Sequence, residues 1–220
     1  MCTLVFAWQV FPDAPVVAAA NRDELLDRPS EPPSVIGEEP GVVAPRDAEA
    51  GERSRGLLVR DALGQGSAEE AARLVERELD EREYERFNLV LADARAAVYI
   101  EYDGARRVRN FDPGVHVVVN VGADGDYTVP AERQAAAEQQ AENADSVAAA
   151  LVPEPGETSS SWLDRAADVV SDHQYGVCVH RDRFGTRSSS LITLGRQGTT
   201  YRYADGPPCE TDYRRVESQI

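Results

Sequence analysis

The chain contains no lysine: its 23 basic side chains are all arginine, set against 39 aspartates and glutamates, for a formal net charge of −16. A negative excess of this size disfavours nucleic-acid binding, which needs a basic surface to neutralise phosphates. The carboxylates are spread along the whole chain and not gathered into a tail, so they do not read as a docking patch for a cationic partner. Such a surface repels itself at low ionic strength; at molar salt, where the screening length falls to about 3 Å, the repulsion largely disappears. The composition therefore predicts a protein adapted to high salt.

Other absences narrow the class further. No apolar run approaches the roughly 18 residues of a membrane span, and the N-terminal stretch has no basic leader, so a soluble, cytoplasmic protein is expected. The three cysteines, Cys2, Cys178 and Cys209, form neither a disulfide framework nor a paired zinc spacing, which points to a reduced, intracellular chain. Cys178 reads as a core residue and Cys209, after Pro207-Pro208, as a terminal-loop thiol. His116, His173 and His180 share no metal-ligand spacing and read as strand or helix-end residues. Asp124-Gly125-Asp126 lacks the remaining positions of a calcium loop and reads as a turn. No metal centre and no cofactor is expected.

With 220 residues and 42% hydrophobic content, the chain suffices for one domain, taken as 1–220. Residues 2–8 and 16–20 are short apolar runs separated by Phe11-Pro12-Asp13-Ala14-Pro15, the pattern of a hairpin that begins at Cys2. From Asp27 to Arg55 regular patterning fails, and loops of that length are uncommon in compact domains. Ser67 and Glu70 form a capping-box signature ahead of Ala71, Leu74, Val75 and Leu79, predicting a helix over 67–86. Residues 87–92, 97–102 and 115–121 read as a second antiparallel set. Two further helices are expected, one from Pro130 to Leu151 and one capped by Ser160 with Trp162, Leu163, Ala166, Val169 and Val170 along one face. Strands at 175–180, 188–194 and 200–203 complete a layered α+β fold.

What is present at the N-terminus carries the chemistry. A residue as small as cysteine normally lets the initiator methionine be trimmed, which would leave Cys2 with a thiol and a free amine. The amine, with a reference pKa near 8, can take the thiol proton, so nucleophile and base share one residue. The expected second strand runs into Asn21-Arg22-Asp23-Glu24, and antiparallel pairing returns this cluster toward Cys2. Alternation puts Asn21 and Asp23 on one face and Arg22 and Glu24 on the other. Asp23 would orient the terminal amine, while Arg22 would favour thiolate or bind a ligand carboxylate. The competing reading of the cluster is a polar turn with an ordinary surface ion pair. Arg187, in Gly185-Thr186-Arg187-Ser188, is a further candidate contact for an anionic ligand.

Met1-Cys2-Thr3-Leu4, Ala19-Ala20-Asn21-Arg22-Asp23-Glu24 and Arg28-Pro29 resemble the NRDE family, also called the transport and Golgi organisation protein 2 family. Further matches are Arg55-Gly56-Leu57-Leu58-Val59, Phe87-Asn88-Leu89, Val119-Asn120, Tyr175-Gly176-Val177-Cys178 and Phe184-Gly185-Thr186-Arg187-Ser188. The resemblance implies the fold of N-terminal nucleophile hydrolases, a four-layer αββα sandwich. It also implies a cysteine amidohydrolase acting on a C–N amide bond of a small acylated substrate, with Cys2 as nucleophile, Asp23 as partner of the amine and Asn120 as an oxyanion donor. Asn21, Arg22, Glu24 and Arg187 would bind substrate. In the related penicillin V acylase and bile-acid hydrolase group, however, the arginine precedes the aspartate by three residues, so Arg22 does not inherit its role. The family pattern also continues after Gly51 with Gly-Gly-Thr-Trp and a strand pair ending in Thr-Asn; about two dozen residues are absent here by that comparison. Loss of the pair would remove an asparagine from the oxyanion site and expose sheet edges open to self-association. The family's links to haem movement and to lipid or coenzyme A metabolism imply an alternative: non-enzymatic handling of a hydrophobic anionic ligand such as haem or an acyl-coenzyme A.

The charge argument predicts that the thermal unfolding midpoint rises across a sodium chloride series. Greatest stability in low salt would contradict it.

Overall fold

A computed structural model describes residues 2–28, 30–36, 42–47 and 53–216. Two compact units emerge, one made of Met1–Asp27 with Pro113–Val216 and the other centred on Arg28–Asp112. Both combine antiparallel strands with helices, as the α+β reading expects.

The first unit is built on an eight-stranded antiparallel sheet. Its members are β1 (Thr3–Phe11), β2 (Ala14–Leu25), β8 (Gly114–Val119), β9 (Gly122–Ala123), β10 (Asp126–Tyr127), β11 (Phe184–Gly195), β12 (Gly198–Ala204) and β13 (Arg214–Arg215). The order across the sheet is β10-β9-β8-β1-β2-β11-β12-β13. The β1–β2 hairpin forms as the apolar runs predict, with Thr3 opposite Asn21 and Val5 opposite Ala19. The run at 115–121 behaves differently from expectation, since β8 joins β1 instead of the strands at 87–102, pairing Thr3 with Val119 and Val5 with Val117. Val117 and Val119 bury on the same face as Val5 and Val17, with Val115 packed against them.

Two helices, α3 (Gln134–Ala150) and α4 (Ser159–Ser171), cover that face. The apolar stripe predicted for α4 is fully engaged: Trp162, Leu163, Ala166, Val169 and Val170 are all buried. Trp162 donates its indole N–H to the Leu151 carbonyl at the end of α3, 2.9 Å away, so the largest side chain in this core is also hydrogen-bonded. The cap is Thr158, not Ser160; its hydroxyl accepts from the Ser161 amide while the Ser161 hydroxyl accepts from the Thr158 amide. Ser159 in turn bonds the Asp13 carboxylate, pinning the β1–β2 turn to the start of α4.

The expected strand at 175–180 is not regular. His173–Tyr175 form a single 3₁₀ turn closed by Gly176 at φ 65°, and only His180 bridges to the sheet, opposite Gly185. The left-handed conformation at Gly176 is the physical break, and a side chain there would also strike Asn143.

In the second unit β5 (Phe87–Ala92), β6 (Ala97–Tyr102) and β7 (Arg106–Asn110) form an antiparallel sheet covered by α1 (Arg55–Leu63) and α2 (Ala68–Glu81). The helix predicted over 67–86 thus ends at Glu81. Its Ser67 cap accepts from the Glu70 amide, but Glu70 reaches the Gly66 amide, so only half of the capping box forms. β7, with its sequence Arg-Arg-Val-Arg-Asn, escapes an apolar-run search because it is an edge strand with four residues facing water. Between Asp27 and Arg55, where patterning fails, the described residues nonetheless include two strands: β3 (Ser30–Ile36) and β4 (Val42–Asp47) pair, with a register shift between Glu31 and Ser34 that spans the two prolines. Gly51, where the family comparison places the missing strand pair, lies outside the described residues.

Candidate functional site

The register of the large sheet brings Cys2 into the middle of a polar row. Antiparallel pairing of Thr3 with both Asn21 and Val119 places Cys2, one step earlier, between Arg22 on β2 and Asn120 just past β8. On the far side of β2, Arg22 pairs with Ser188 of β11. By alternation this row lies on the face opposite α3 and α4. The Cys2 backbone nitrogen donates to Asn120 Oδ1 at 2.7 Å, across 118 residues of sequence. Directly after Asn120 the chain turns through Gly122 at φ 141°, where a Cβ would run into the Asp126 carbonyl; the turn requires glycine.

The Cys2 thiol is 3.6 Å from the Asp23 carbonyl oxygen, to which it donates. Cys2 is exposed as a residue, yet the protein packed around its sulfur makes desolvation the dominant influence. Burial pushes the thiol above its ordinary pKa, outweighing the hydrogen bond to Asp23 and the nearby Arg22 charge. A thiol held neutral at pH 7 needs a base before it can attack.

Asp23 is 5% exposed and lies on the opposite face of β2 from Arg22. Its Oδ1 accepts from the Thr186 hydroxyl at 2.6 Å, and that hydroxyl accepts from the Val179 amide at 2.9 Å. Burial raises the Asp23 pKa, only partly countered by the positive charge of the N-terminal amine and by the Thr186 hydrogen bond. Such a carboxylate costs stability when ionised and is retained where its charge has a use.

Asn21 is placed elsewhere than the substrate-binding expectation had it. It is 2% exposed, and its amide donates to the carbonyls of Val170 and Val177 at 2.7 and 2.9 Å. It therefore ties β2 to the end of α4 and to the irregular segment before His180. Removing it would leave two buried acceptors unpaired, at about 1–3 kcal/mol each. Arg22 and Glu24 are half-buried on the other face, Glu24 accepting from the Leu25 amide at 2.9 Å.

Arg187 occupies the bulge between Thr186 and Ser188 and donates to the Leu26 carbonyl at 3.2 Å. It lines a pocket of about 570 Å³ with Leu26, Val179, Arg181, Asp205 and Pro207. Thr186, the partner of Asp23, also lines it. Tyr203 lies close by: its hydroxyl is held by Ser188, and burial pushes its pKa up despite the charges of Arg22 and Arg187.

Folding also assembles a group that sequence spacing concealed. The ligand atoms of His173, Cys178, His180 and Cys209 all lie within 4.8 Å of one another. Cys178 and Cys209 sulfurs are 3.5 Å apart without a disulfide, and His180 Nε2 is 3.1 Å from Cys209 and 3.7 Å from Cys178. His173 and His180, which have no metal-ligand spacing in sequence, are thus brought beside two thiols by the fold, while His116 is not part of the group. A usable signal was the alternation Cys178-Val179-His180, which on extended backbone turns both side chains the same way.

The raised pKa of Asp23 gives a testable sign. Below the unfolded-state value the carboxyl is protonated in both states and the raised pKa favours folding; that contribution is lost as pH rises through the folded-state value. Asp23→Asn, which keeps an acceptor for Thr186, should therefore be more stable than the native chain at neutral pH and gain less in acid. Urea unfolding at several pH values checks this, and a less stable Asp23→Asn protein at neutral pH would show the charge to be net stabilising.

Among the described residues no helix is long and apolar enough to cross a membrane. No curated protein matches the chain by sequence. The profile of the Transport and Golgi organisation 2 family does match, over residues 1–53 and 49–205, with the two segments overlapping at 49–53. These segments take in Cys2, Asn21-Arg22-Asp23-Glu24, Asn120 and Arg187, and the chain belongs to the Transport and Golgi organisation 2 family.

Proposed function

We propose that this protein is a cysteine amidohydrolase of the N-terminal nucleophile type, cleaving the amide bond of a small acylated substrate. The observation that carries the reading is the 2.7 Å contact between the Cys2 nitrogen and Asn120 Oδ1, in a row that also contains Arg22. Once Met1 is removed that nitrogen is an amine. Its reference pKa near 8 suits it to accept the proton of a thiol that burial keeps neutral.

In the proposed reaction the amine takes the thiol proton and the thiolate attacks the substrate carbonyl. Asn120 has its oxygen committed to the amine, which orients its Nδ2 as a donor to the tetrahedral oxyanion. The ammonium returns its proton to the leaving amine, giving a thioester on Cys2. Water, deprotonated by the same amine, then releases the acid and restores the thiol. Asp23, set by Thr186, holds the amine in place electrostatically, and Arg22 and Arg187 supply charge for an anionic part of the substrate. Asn21 acts by positioning β2, and Glu24 closes the polar end of that strand.

The fold proposed with this function is the four-layer αββα sandwich, in one domain spanning the chain. Family membership and a helix-covered antiparallel sheet in each unit support it. The family match divides at 49–53, where the comparison of motifs placed the missing strand pair. Without that pair's asparagine, Asn120 is left as the side-chain oxyanion donor, and one lost donor slows comparable enzymes by about 10²- to 10³-fold. We accordingly expect slow turnover. Adaptation to high salt, a cytoplasmic location and self-association through uncovered sheet edges belong to the same proposal.

A second reading, non-hydrolytic handling of a hydrophobic anionic cargo such as haem or an acyl-coenzyme A, draws on the pocket where Arg181 and Arg187 meet Leu26, Val179 and Pro207. Intact-mass analysis and a panel of N-acyl amino acids and acyl anilides separate the two. The hydrolase reading predicts loss of Met1, measurable amide cleavage, its abolition in Cys2→Ala and a loss of about 10²-fold or more in Asn120→Ala. Retained Met1, or undiminished cleavage by Cys2→Ala, would remove it. Saturable haem binding weakened by Arg187→Ala, with no amide cleavage, would favour the second.

A further inference from the structure

We propose that His173, Cys178, His180 and Cys209 form a structural zinc site. The inference is independent of the hydrolase reading. Two thiols and two imidazoles are the donor set that zinc takes in closed, four-coordinate sites. An ion at about 2.3 Å from sulfur and 2.0–2.1 Å from nitrogen holds tetrahedral ligand atoms roughly 3.3–3.8 Å apart. Three of the separations here are 3.1, 3.5 and 3.7 Å, and none of the set exceeds 4.8 Å. Small rotamer adjustments thus suffice to close the shell around an ion.

The surroundings agree with this assignment. His180 turns Nε2 toward the sulfurs, while its Nδ1 lies 4.0 Å from Glu210 Oε1. That distance is longer than a hydrogen bond, but it places a carboxylate on the side of the non-ligating nitrogen, where the outer partner of a zinc-bound imidazole is found. The rings of His173 and His180 are 5.1 Å apart, so both imidazoles border one space. Cys178 is buried whereas the other three are exposed, which leaves an entry path for the ion. Cys209 is delivered by a turn closed by the Glu210 amide on the Pro207 carbonyl.

Zinc binding releases one proton from each thiol, and two thiolates neutralise the dication, so no further anion is needed. With four protein ligands the ion keeps no open position for a catalytic water. Its task is to cross-link. It would join the loop at 206–210 to the segment 173–180, whose regular strand structure is interrupted at Gly176 and whose Val179 amide holds Thr186 against Asp23. Metal here braces the support of the buried carboxylate from outside.

Elemental analysis of the reduced full-length chain, after incubation with zinc and removal of excess ion, should find one zinc per chain. The same value is expected for Cys2→Ala, and loss of the ion for the Cys178→Ser, Cys209→Ser double variant. Cobalt(II) added to metal-free protein should give the intense visible bands and near-ultraviolet thiolate charge transfer of a tetrahedral site. If the double variant does not fold, thiol alkylation read by peptide mass on the native chain decides: zinc should protect Cys178 and Cys209 but not Cys2. Absence of stoichiometric zinc, a six-coordinate cobalt spectrum, retention of the ion by a folded double variant, or alkylation of Cys178 and Cys209 unaffected by zinc would overturn the site. So would a Cys178–Cys209 disulfide in protein extracted under thiol-blocking conditions.

Discussion

The register of β1 between β2 and β8 is the constraint on which the candidate chemistry depends. Side chains alternate across a strand, so a one-residue slip of β1 would turn Val5 and Ala7 away from Val17 and Val117 and out of the core at the same time as it displaced Cys2 from Asn120. The burial of these aliphatic residues against α3 and α4 therefore positions the polar end of the strand. Packing on one face of the sheet sets the chemistry of the other. Asn21 reinforces the arrangement by committing its amide to the Val170 carbonyl at the end of α4 and the Val177 carbonyl just before Cys178.

Burial and charge are set against each other along β2. Asp23 is driven into a desolvated position that raises its pKa, and the Cys2 thiol is raised by the same cause. A fold selected only for stability would replace the carboxylate with an amide or an apolar group. Thr186 meets only part of the cost, with a single hydroxyl that is itself anchored by the Val179 amide. The proposed zinc site lies on the continuation of that same segment. The support of Asp23 would in this way extend from a sheet residue to a metal cross-link.

What could be read from the sequence follows the range of the physical signal. The β1–β2 hairpin and the buried stripe of α4 are local patterns, and both were visible as apolar runs and helical spacing. The partner of β8 was not, because a valine-rich run reports burial but carries no information about a neighbour more than a hundred residues away. At 175–180 the local break signal is Gly176, set among the β-forming Tyr175, Val177 and Val179. α1 was missed because Arg55 to Leu63 has little amphipathic contrast, and β7 because an edge strand needs no apolar face. At the candidate site, motifs name Cys2, Asp23 and Asn120, whereas the donation of the Asn21 amide to the Val170 and Val177 carbonyls is not legible, since a buried amide and a ligand-binding amide look alike in sequence. The four side chains of the proposed zinc site are not legible together because they come from a 3₁₀ turn, an irregular segment and a proline-bounded loop, none of which has a repeat.

The central claim is that Cys2 is a nucleophile served by its own amine. The most direct measurement is rapid mixing of the mature chain with a p-nitrophenyl acyl ester, following p-nitrophenolate release and then locating the acyl group by peptide mass. The account predicts a burst of release with transient acylation of the peptide Cys2–Arg22. A chain with no burst, or with the acyl group on Cys178 or Cys209, would contradict it.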